Sequence, residues 1–266
     1  MRIGVFDSGL GGITLLNQAL RQMPDEYYLF YADTDHVPYG EKTREQIMRY
    51  VSDSARFMME NGCKALVIGC NTATSVGIAH LRKDWPDIPI IGIEPAVKPA
   101  LTKYRKDGRV LVCATAITIN GEKLEHLIER LKGEEVVDKI ALPGLVRLAE
   151  SGHFEKEEVK SYLRGAFAGL DLKAYDCIVL GCTHFNFFKD TFDEMFPGIP
   201  VIDGSKAAIA QLHRKMDAAG ILITEEEKQA MKGEPKIVWY ESGRKVTSPE
   251  ELAKIDRLRD RWLQLN

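Results

Sequence analysis

The sequence lacks the features that mark a membrane-spanning, secreted or nucleic-acid-binding protein. No apolar run approaches the roughly 20 residues that cross a bilayer. The first strand-like stretch, Met1 to Phe6, has neither the long apolar core nor the small-residue cleavage site of a signal peptide. The net charge of −3 leaves no basic excess with which to displace counterions from phosphate. We therefore expect a cytoplasmic protein that binds neither membranes nor nucleic acids.

The cysteines are few, and their spacing does not suggest a disulfide framework or a metal site. There are five, an odd number, and no two form a C-x-x-C pair. Without an export signal a reducing compartment is expected, in which disulfides are rare. Cys177 and Cys182 flank one predicted strand at an odd spacing that points them to opposite faces. No metal site is predicted.

One short pattern occurs twice in the chain. Residues 65–75 read ALVIGCNTATS, and residues 177–187 read CIVLGCTHFNF. In both, an apolar run predicts a buried parallel strand, a Gly-Cys pair stands where the strand ends, and a helix follows. The repeated pattern therefore places two matched cysteines, Cys70 and Cys182, at two strand ends.

The spacing of several motifs indicates an internal repeat. The two cysteines are 112 residues apart (182 − 70), and the Trp-Pro and Phe-Pro pairs at Trp85 and Phe196 are 111 apart (196 − 85). We predict an α/β fold of two similar open, mostly parallel α/β domains that face each other across a cleft, related by a pseudo-twofold repeat. A late strand at 236–240 should join the first sheet. The predicted domains are therefore 1–97 plus 207–266, and 98–206.

The two strand-end cysteines suggest proton-transfer chemistry. Ligands of open α/β sheets bind beyond the carboxyl ends of the strands, so Cys70 and Cys182 should look into one cleft. Each also precedes a predicted helix N-terminus, which favours the thiolate and should lower the thiol pKa from about 8.5. Opposed thiols can remove a proton from one face of a carbon and return one to the other. Cys63, Cys113 and Cys177 lie in or beside apolar runs and are interpreted as core residues.

A second chemistry stays open at this point. His184 could serve as the base for a nucleophilic Cys182, as in a hydrolase, although Cys70 would then have no role. The turn Ser8–Gly12 is glycine-rich, but it has neither the G-x-G-x-x-G spacing nor a Walker lysine. With Asp7 and Ser8 at the strand end, it better suits a small ligand that approaches the backbone. No PLP, nicotinamide or metal signature is present, so cofactor-independent chemistry is expected.

Five motifs carry a resemblance to a known family, and they lie in order along nearly the whole chain. They are Phe6-Asp7-Ser8-Gly9-x-Gly11-Gly12, Asp33-x-x-x-x-Pro38-Tyr39-Gly40, Cys70-Asn71-Thr72-Ala73-Thr74, Ile93-Glu94-Pro95-Ala96 and Gly181-Cys182-Thr183-His184. Together they resemble the glutamate racemases of the aspartate/glutamate racemase family.

This resemblance implies an activity and a set of catalytic residues. The family interconverts L- and D-glutamate without a cofactor, and bacteria build peptidoglycan from the D-isomer. Its two catalytic cysteines match Cys70, which deprotonates the D-isomer, and Cys182, which deprotonates the L-isomer. Asp7 and His184 would assist the thiols. A further carboxylate of the family falls on Glu150, in a looser match after Pro143.

The resemblance also implies the substrate contacts and the assembly. The matching contacts are Asp7, Ser8, Pro38, Tyr39, Gly40, Asn71, Thr72, Thr115, Thr118, Thr183 and His184. The partner would be glutamate, and the chain would form a homodimer. The residues alone also allow purely structural roles. Asp7 could serve merely to cap the next helix, Tyr39 to pack against its neighbours, and Glu150 to lie on the surface of a helix.

Departures from the family pattern lie near the second half of the cleft. Phe185-Asn186-Phe187-Phe188 replaces an aromatic residue, a proline and two aliphatic residues, and Arg147 stands where proline is frequent. The final helix after Pro249 has no role that the pattern assigns. Two rival functions remain, an aspartate racemase and a non-catalytic amino-acid-binding protein. Aspartate racemases tend to carry Glu after the second Cys-Thr, so His184 favours glutamate, and two retained thiols favour catalysis.

Overall fold

The computed structural model describes residues 1–265, which form two separate β-sheets surrounded by helices. In chain order the strands are β1 (Arg2–Asp7), β2 (Tyr28–Ala32), β3 (Cys63–Ile68), β4 (Ile90–Gly92), β5 (Arg109–Ala114), β6 (Val137–Ala141), β7 (Tyr175–Gly181), β8 (Val201–Asp203), β9 (Ile237–Glu241) and β10 (Arg244–Lys245).

The helices alternate with these strands. They are α1 (Ile13–Gln22), α2 (Arg44–Glu60), α3 (Asn71–Asp84), α4 (Val97–Pro99), α5 (Ala116–Ile119), α6 (Glu122–Arg130), α7 (Pro143–Glu150), α8 (Lys156–Ala166), α9 (Lys189–Met195), α10 (Ser205–Ala218), α11 (Glu225–Ala230) and α12 (Pro249–Leu265). Short 3₁₀ turns include Leu10–Gly12, Tyr39–Glu41 and Thr183–Phe188. None of the helices within the described residues is both long and apolar enough to cross a membrane.

Both sheets have the same strand order, which confirms the predicted fold class. The first contains β2-β1-β3-β4 and the second β6-β5-β7-β8, and all of these neighbours are parallel. In the first sheet β9 pairs in parallel with β2, and β10 pairs with β9 in the antiparallel sense. The late strand therefore lies in the first sheet, as expected. The residue boundaries of the two domains stay a prediction.

Buried apolar side chains hold the layers together. Alternate residues of a strand point to opposite faces, so Ile3 and Val5 of β1 pack into one cluster, whereas Phe6 packs into another with α2 and α3. The first of these clusters is shared by both sheets, since it also contains Leu111 of β5 and Ile178 of β7. The two sheets are therefore joined by a continuous apolar core on one side of the molecule.

Local sequence signals account for several helix starts. Thr43 caps α2, where its hydroxyl accepts from Gln46 N at 3.2 Å and the Gln46 side chain accepts from Thr43 N at 2.9 Å. Pro143 occupies the first turn of α7, where its missing N–H costs no helical hydrogen bond. Val146 of α7 lines the cavity described below, so the start of this helix at Pro143 helps to place one of its walls.

The segment after Cys182 differs from the predicted helix. It begins as the 3₁₀ turn Thr183–Phe188 and becomes α-helical only in α9. Side chains of this turn are all buried, and packing in a crowded interior outweighs the preference for a regular helix. The turn between β9 and β10 is short: Ser242 and Gly243 take positive φ values, and the chain re-enters the sheet as β10.

Candidate active site

A small cavity lies where the ends of β3 and β7 approach each other. Its volume is about 20 Å³, which suffices for about one water molecule. Residues of both sheets and their following helices line it, namely Ser8, Pro38, Tyr39, Gly40, Cys70, Asn71, Thr72, Thr115, Val146, Gly181, Cys182, Thr183 and His184. The structure therefore brings both strand-end cysteines and most of the predicted contacts to one place.

Cys70 stands at the N-cap of α3. Its Sγ accepts from Ala73 N at 3.4 Å and from the Ser8 hydroxyl at 3.2 Å. Burial, with the negative charge of Asp7 as a smaller cause, nevertheless raises the pKa of the thiol to about 12. Our expectation of a lowered pKa is therefore wrong for Cys70. Loss of hydration outweighs the helix N-terminus when a thiol is this deeply buried.

Asp7 lies behind the cavity wall and connects the two halves of the site. Its Oδ2 accepts from the Thr183 hydroxyl at 3.0 Å, and its Oδ1 accepts from Gly9 N at 3.2 Å and lies 3.4 Å from Ser8 Oγ. The carboxyl group is fully buried. Burial raises its pKa to about 6, against the opposing influence of the charge on His184. The Ser8 hydroxyl lies between the Asp7 carboxyl group and the Cys70 thiol, and it can donate its proton to either of them.

Cys182 belongs to a chain of hydrogen bonds on the opposite side. Its Sγ lies 3.6 Å from Nδ1 of His184, whose Nε2 lies 2.6 Å from Oε1 of Glu150. That carboxylate oxygen also accepts from Leu10 N at 2.8 Å. Glu150 is thus placed against His184, which the loose sequence match alone could not establish.

The protonation state of His184 follows from its hydrogen bonds to Cys182 and Glu150. Burial disfavours a charged imidazole, but the hydrogen bonds to Cys182 and Glu150 outweigh it and raise the pKa of His184 well above its usual value. The same interaction overcomes burial at Glu150 and lowers the pKa of its carboxyl group. A doubly protonated ring can donate to both partners at once. Cys182 therefore faces a positive charge, whereas Cys70 faces a negative one.

Two glycines in the turn after β1 allow the first sheet to lie close to His184 and Glu150. A Cβ atom on Gly9 would lie 2.2 Å from Oε1 of Glu150, and one on Gly11 would lie 2.6 Å from Nδ1 of His184. Any side chain at these positions would displace Glu150 or His184. The glycine-rich turn after β1 thus serves close packing against His184 and Glu150.

The Pro38-Tyr39-Gly40 segment forms another wall. The Tyr39 hydroxyl donates to Asp33 Oδ2 at 2.6 Å, so its proton is already used within the protein. A Cβ on Gly40 would approach Thr115 Cβ to 3.1 Å, which brings the segment against the second sheet. This wall therefore presents backbone and ring surface, with Asp33 holding the tyrosine.

Three threonines and an asparagine complete the wall between the sheets. Thr72 Oγ1 lies 2.8 Å from Thr115 Oγ1, and Thr118 lies behind them, 3.1 Å from Thr115 and 3.4 Å from Thr72. Asn71 Oδ1 is buried and has no hydrogen-bond partner within residues 1–265. It is an acceptor that a bound ligand can satisfy.

Some residues predicted for the site do not line the cavity. Asp7 and Thr118, predicted as contacts, and Glu150, predicted as a further carboxylate, lie directly behind residues that do. Val146 and Gly181, which sequence reasoning did not select, do line it. Val146 precedes Glu150 by one turn of α7, so the i, i+4 spacing could have placed it on the same face.

The other three cysteines lie in the apolar core. Cys63, Cys113 and Cys177 are free and buried in the apolar clusters, as predicted. Among the described residues, no group of three or more His, Cys, Asp or Glu side chains could hold a metal ion. The cavity itself presents two thiols and an imidazole, and the carboxyl groups of Asp7 and Glu150 lie directly behind its wall.

Known proteins resemble this chain over nearly its whole length. The model of the Asp/Glu/hydantoin racemase family matches residues 7–212. A glutamate racemase of Lachnospira eligens is 45% identical over 263 residues, which cover 98% of this chain and 97% of that protein. Crystal structures of glutamate racemases from Bacillus anthracis and Escherichia coli superpose with TM-scores of 0.81 and 0.73, at 26% and 28% identity.

These structures cover most of both chains. The superposition on the B. anthracis protein covers 99% of this chain and 94% of that protein. The superposition on the E. coli protein, which was solved with L-glutamate and an activator, covers 84% of each chain. The resemblance expected from the five motifs is confirmed. The chain is an isomerase that belongs to the Asp/Glu/hydantoin racemase family.

Proposed function

We propose that this chain interconverts L- and D-glutamate by moving protons between the substrate Cα and the two thiols Cys70 and Cys182. The observation that carries the proposal is that two cysteines from equivalent strand ends of the two sheets line one cavity. The names of the full-length relatives and the L-glutamate bound to the E. coli protein support the choice of substrate.

The unequal surroundings of the thiols fit one direction of the reaction. With its pKa raised to about 12, Cys70 is a neutral thiol and can donate a proton. We assign the accepting role to Cys182, whose Sγ lies 3.6 Å from Nδ1 of the positively charged His184. For L-glutamate, Cys182 removes the α-proton and Cys70 protonates the opposite face. Cys70 is then the thiolate and Cys182 the thiol, which is the form that D-glutamate requires.

The wall supplies neutral polar groups for binding. Among the described residues that line the cavity none is lysine or arginine, so the carboxylates of glutamate are held by hydroxyl and N–H donors. Asn71 Oδ1 is free to accept from the substrate ammonium group. Because the cavity holds about one water molecule, its walls must separate before an amino acid can enter.

The biological setting follows from the same proposal. D-glutamate made by this reaction would supply peptidoglycan synthesis, the reaction would need no cofactor, and the enzyme would act in the cytoplasm. The homodimer and the domains 1–97 plus 207–266 and 98–206 also stay predictions. An aspartate racemase is the nearest alternative, and His184 after Cys182-Thr183 argues for glutamate.

The activity is tested by isotope exchange. L-glutamate, D-glutamate and L-aspartate are each incubated with the enzyme in D₂O, and Cα–deuterium is measured by NMR beside optical rotation. We expect deuterium and loss of rotation with both glutamate isomers, and much slower exchange with aspartate. Absence of exchange on either glutamate isomer would sink the proposal, and faster exchange on aspartate would reassign the substrate.

A further inference from the structure

The C-terminal helix α12 contacts both halves of the site, although the sequence assigned it no role. Its buried face contains Ile255, Leu258 and Trp262. The helix packs against α1, which follows the first strand, and against the turn Thr183–Phe188, which follows β7. It is therefore placed to fix that turn relative to the first sheet.

Arg261 makes the polar contacts between α12 and this turn. Its Nε donates to the Phe187 carbonyl at 3.0 Å, and its Nη2 donates to Asp190 Oδ1 at 2.7 Å. The guanidinium carbon also lies 5.5 Å from the centre of the Phe154 ring. Only 18% of the arginine side chain is exposed. Its planar fork therefore holds the end of the turn and the start of α9 in one geometry.

The turn that Arg261 holds is the one that carries His184. Phe187 follows His184 by three residues within a six-residue 3₁₀ turn whose side chains are all buried. The His184 ring is confined by the backbone of Gly11 on one side and by Glu150 on another. Because little space is free around this short segment, a displacement at Phe187 must move His184 relative to Cys182.

We propose that Arg261 is a positioning residue that keeps His184 in register with Cys182. The inference rests on the proposed function, because it concerns the proton transfer on the Cys182 side. Arg261 touches neither the cavity nor a reacting group, so its effect passes through the backbone of the turn. Proton transfer by Cys70, which has its own partners in Ser8 and Ala73, is independent of it.

Rates alone do not separate positioning from a weakened fold. Two enantiomers have equal free energy, so any variant must change kcat/KM by the same factor in both directions. The α-deuterium isotope effect distinguishes positioning from a weakened fold, because it reports how far abstraction of the α-proton limits the rate in each direction. Partial unfolding lowers the active fraction but leaves the isotope effects unchanged.

The test compares Arg261→Ala with Arg259→Ala. Arg259 lies on the same helix, but its Nε donates to Asn17 Oδ1 of α1 at 3.4 Å and its Nη1 lies 3.8 Å from Asp256 Oδ1. For Arg261→Ala we expect kcat to fall about 10-fold with little change in KM. The α-deuterium effect should rise for L-glutamate, which faces Cys182, and not for D-glutamate. Arg259→Ala should keep the wild-type values.

Arg261→Lys and the wild type complete the design. Lysine keeps a charge but cannot make both bonds, so its kcat should lie between those of the wild type and Arg261→Ala. Wild-type isotope effects in a folded Arg261→Ala, or an equal rise for both isomers, overturn the proposal. If circular dichroism shows that Arg261→Ala is unfolded, Arg261→Lys takes its place under the same criterion. Absence of exchange in the wild type would instead refute the proposed function.

Discussion

Replacing Asp7 by asparagine should stabilise the protein while it impairs catalysis. The carboxyl group is fully buried, and burial raises its pKa from an ordinary value near 3.8 to about 6. The folded state therefore holds a proton that the unfolded chain releases between these pH values. The stability due to this group is complete below about pH 3.8 and is lost as the pH rises through 6.

The size of the effect follows from this difference. A rise from 3.8 to about 6 corresponds to about 3 kcal/mol lost by pH 8, of which about half is lost between pH 5 and pH 8. Asparagine keeps an acceptor for Gly9 N, and the Thr183 hydroxyl can reverse its hydrogen bond to accept from the amide. Asp7→Asn should therefore gain up to about 3 kcal/mol at pH 8.

Calorimetric unfolding at pH 5 and pH 8 measures this gain. For a chain of this size, about 3 kcal/mol raises the melting temperature by roughly 5–10 °C. The gain should be smaller at pH 5, and kcat should fall. Asp217→Asn is the control, because Asp217 is exposed on α10 and should show neither effect. A melting temperature of Asp7→Asn at or below that of the wild type at pH 8 would refute the reasoning.

Two further substitutions test the Cys182 side of the site. Glu150→Gln removes the charge that helps to raise the pKa of His184. His184 should then lose its proton at lower pH, so the basic limb of the kcat–pH profile should move to lower pH. A basic limb that does not move would contradict this role of Glu150. Gly11→Ala adds a methyl group 2.6 Å from His184 Nδ1, which should cost about 1–3 kcal/mol of stability and most of the activity. Gly165→Ala, in open space on α8, should keep both, as measured by calorimetry and polarimetry.

The fold could be predicted well from the sequence because its signals are local and repeated. Apolar runs that end in Gly-Cys mark β3 and β7. The two cysteines and the Trp-Pro and Phe-Pro pairs are separated by nearly the same distance in sequence, and this repeat anticipates the shared strand order of the two sheets. The 3₁₀ turn after Cys182 could not be predicted in the same way. It depends on burial against α1, α7 and α12, which are distant in the chain.

The site could be predicted only in part. Matching motifs located the cysteines and His184, but the contact between His184 and Glu150 joins residues from separate elements, and only the folded chain places them 2.6 Å apart. The raised pKa of Cys70 is likewise a property of burial. A helix N-terminus is visible in the sequence, whereas the depth at which a thiol is buried is not.

The central claim is that Cys70 and Cys182 act on opposite faces of one carbon. It is tested most directly by incubating Cys70→Ala and Cys182→Ala with each glutamate isomer in D₂O and following deuterium and rotation together. Neither variant should racemise glutamate, because one thiol cannot invert the centre. Cys182→Ala should exchange only D-glutamate, and Cys70→Ala only L-glutamate, each without loss of rotation. Racemisation at the wild-type rate by either variant, or exchange of both isomers by one, would contradict the account.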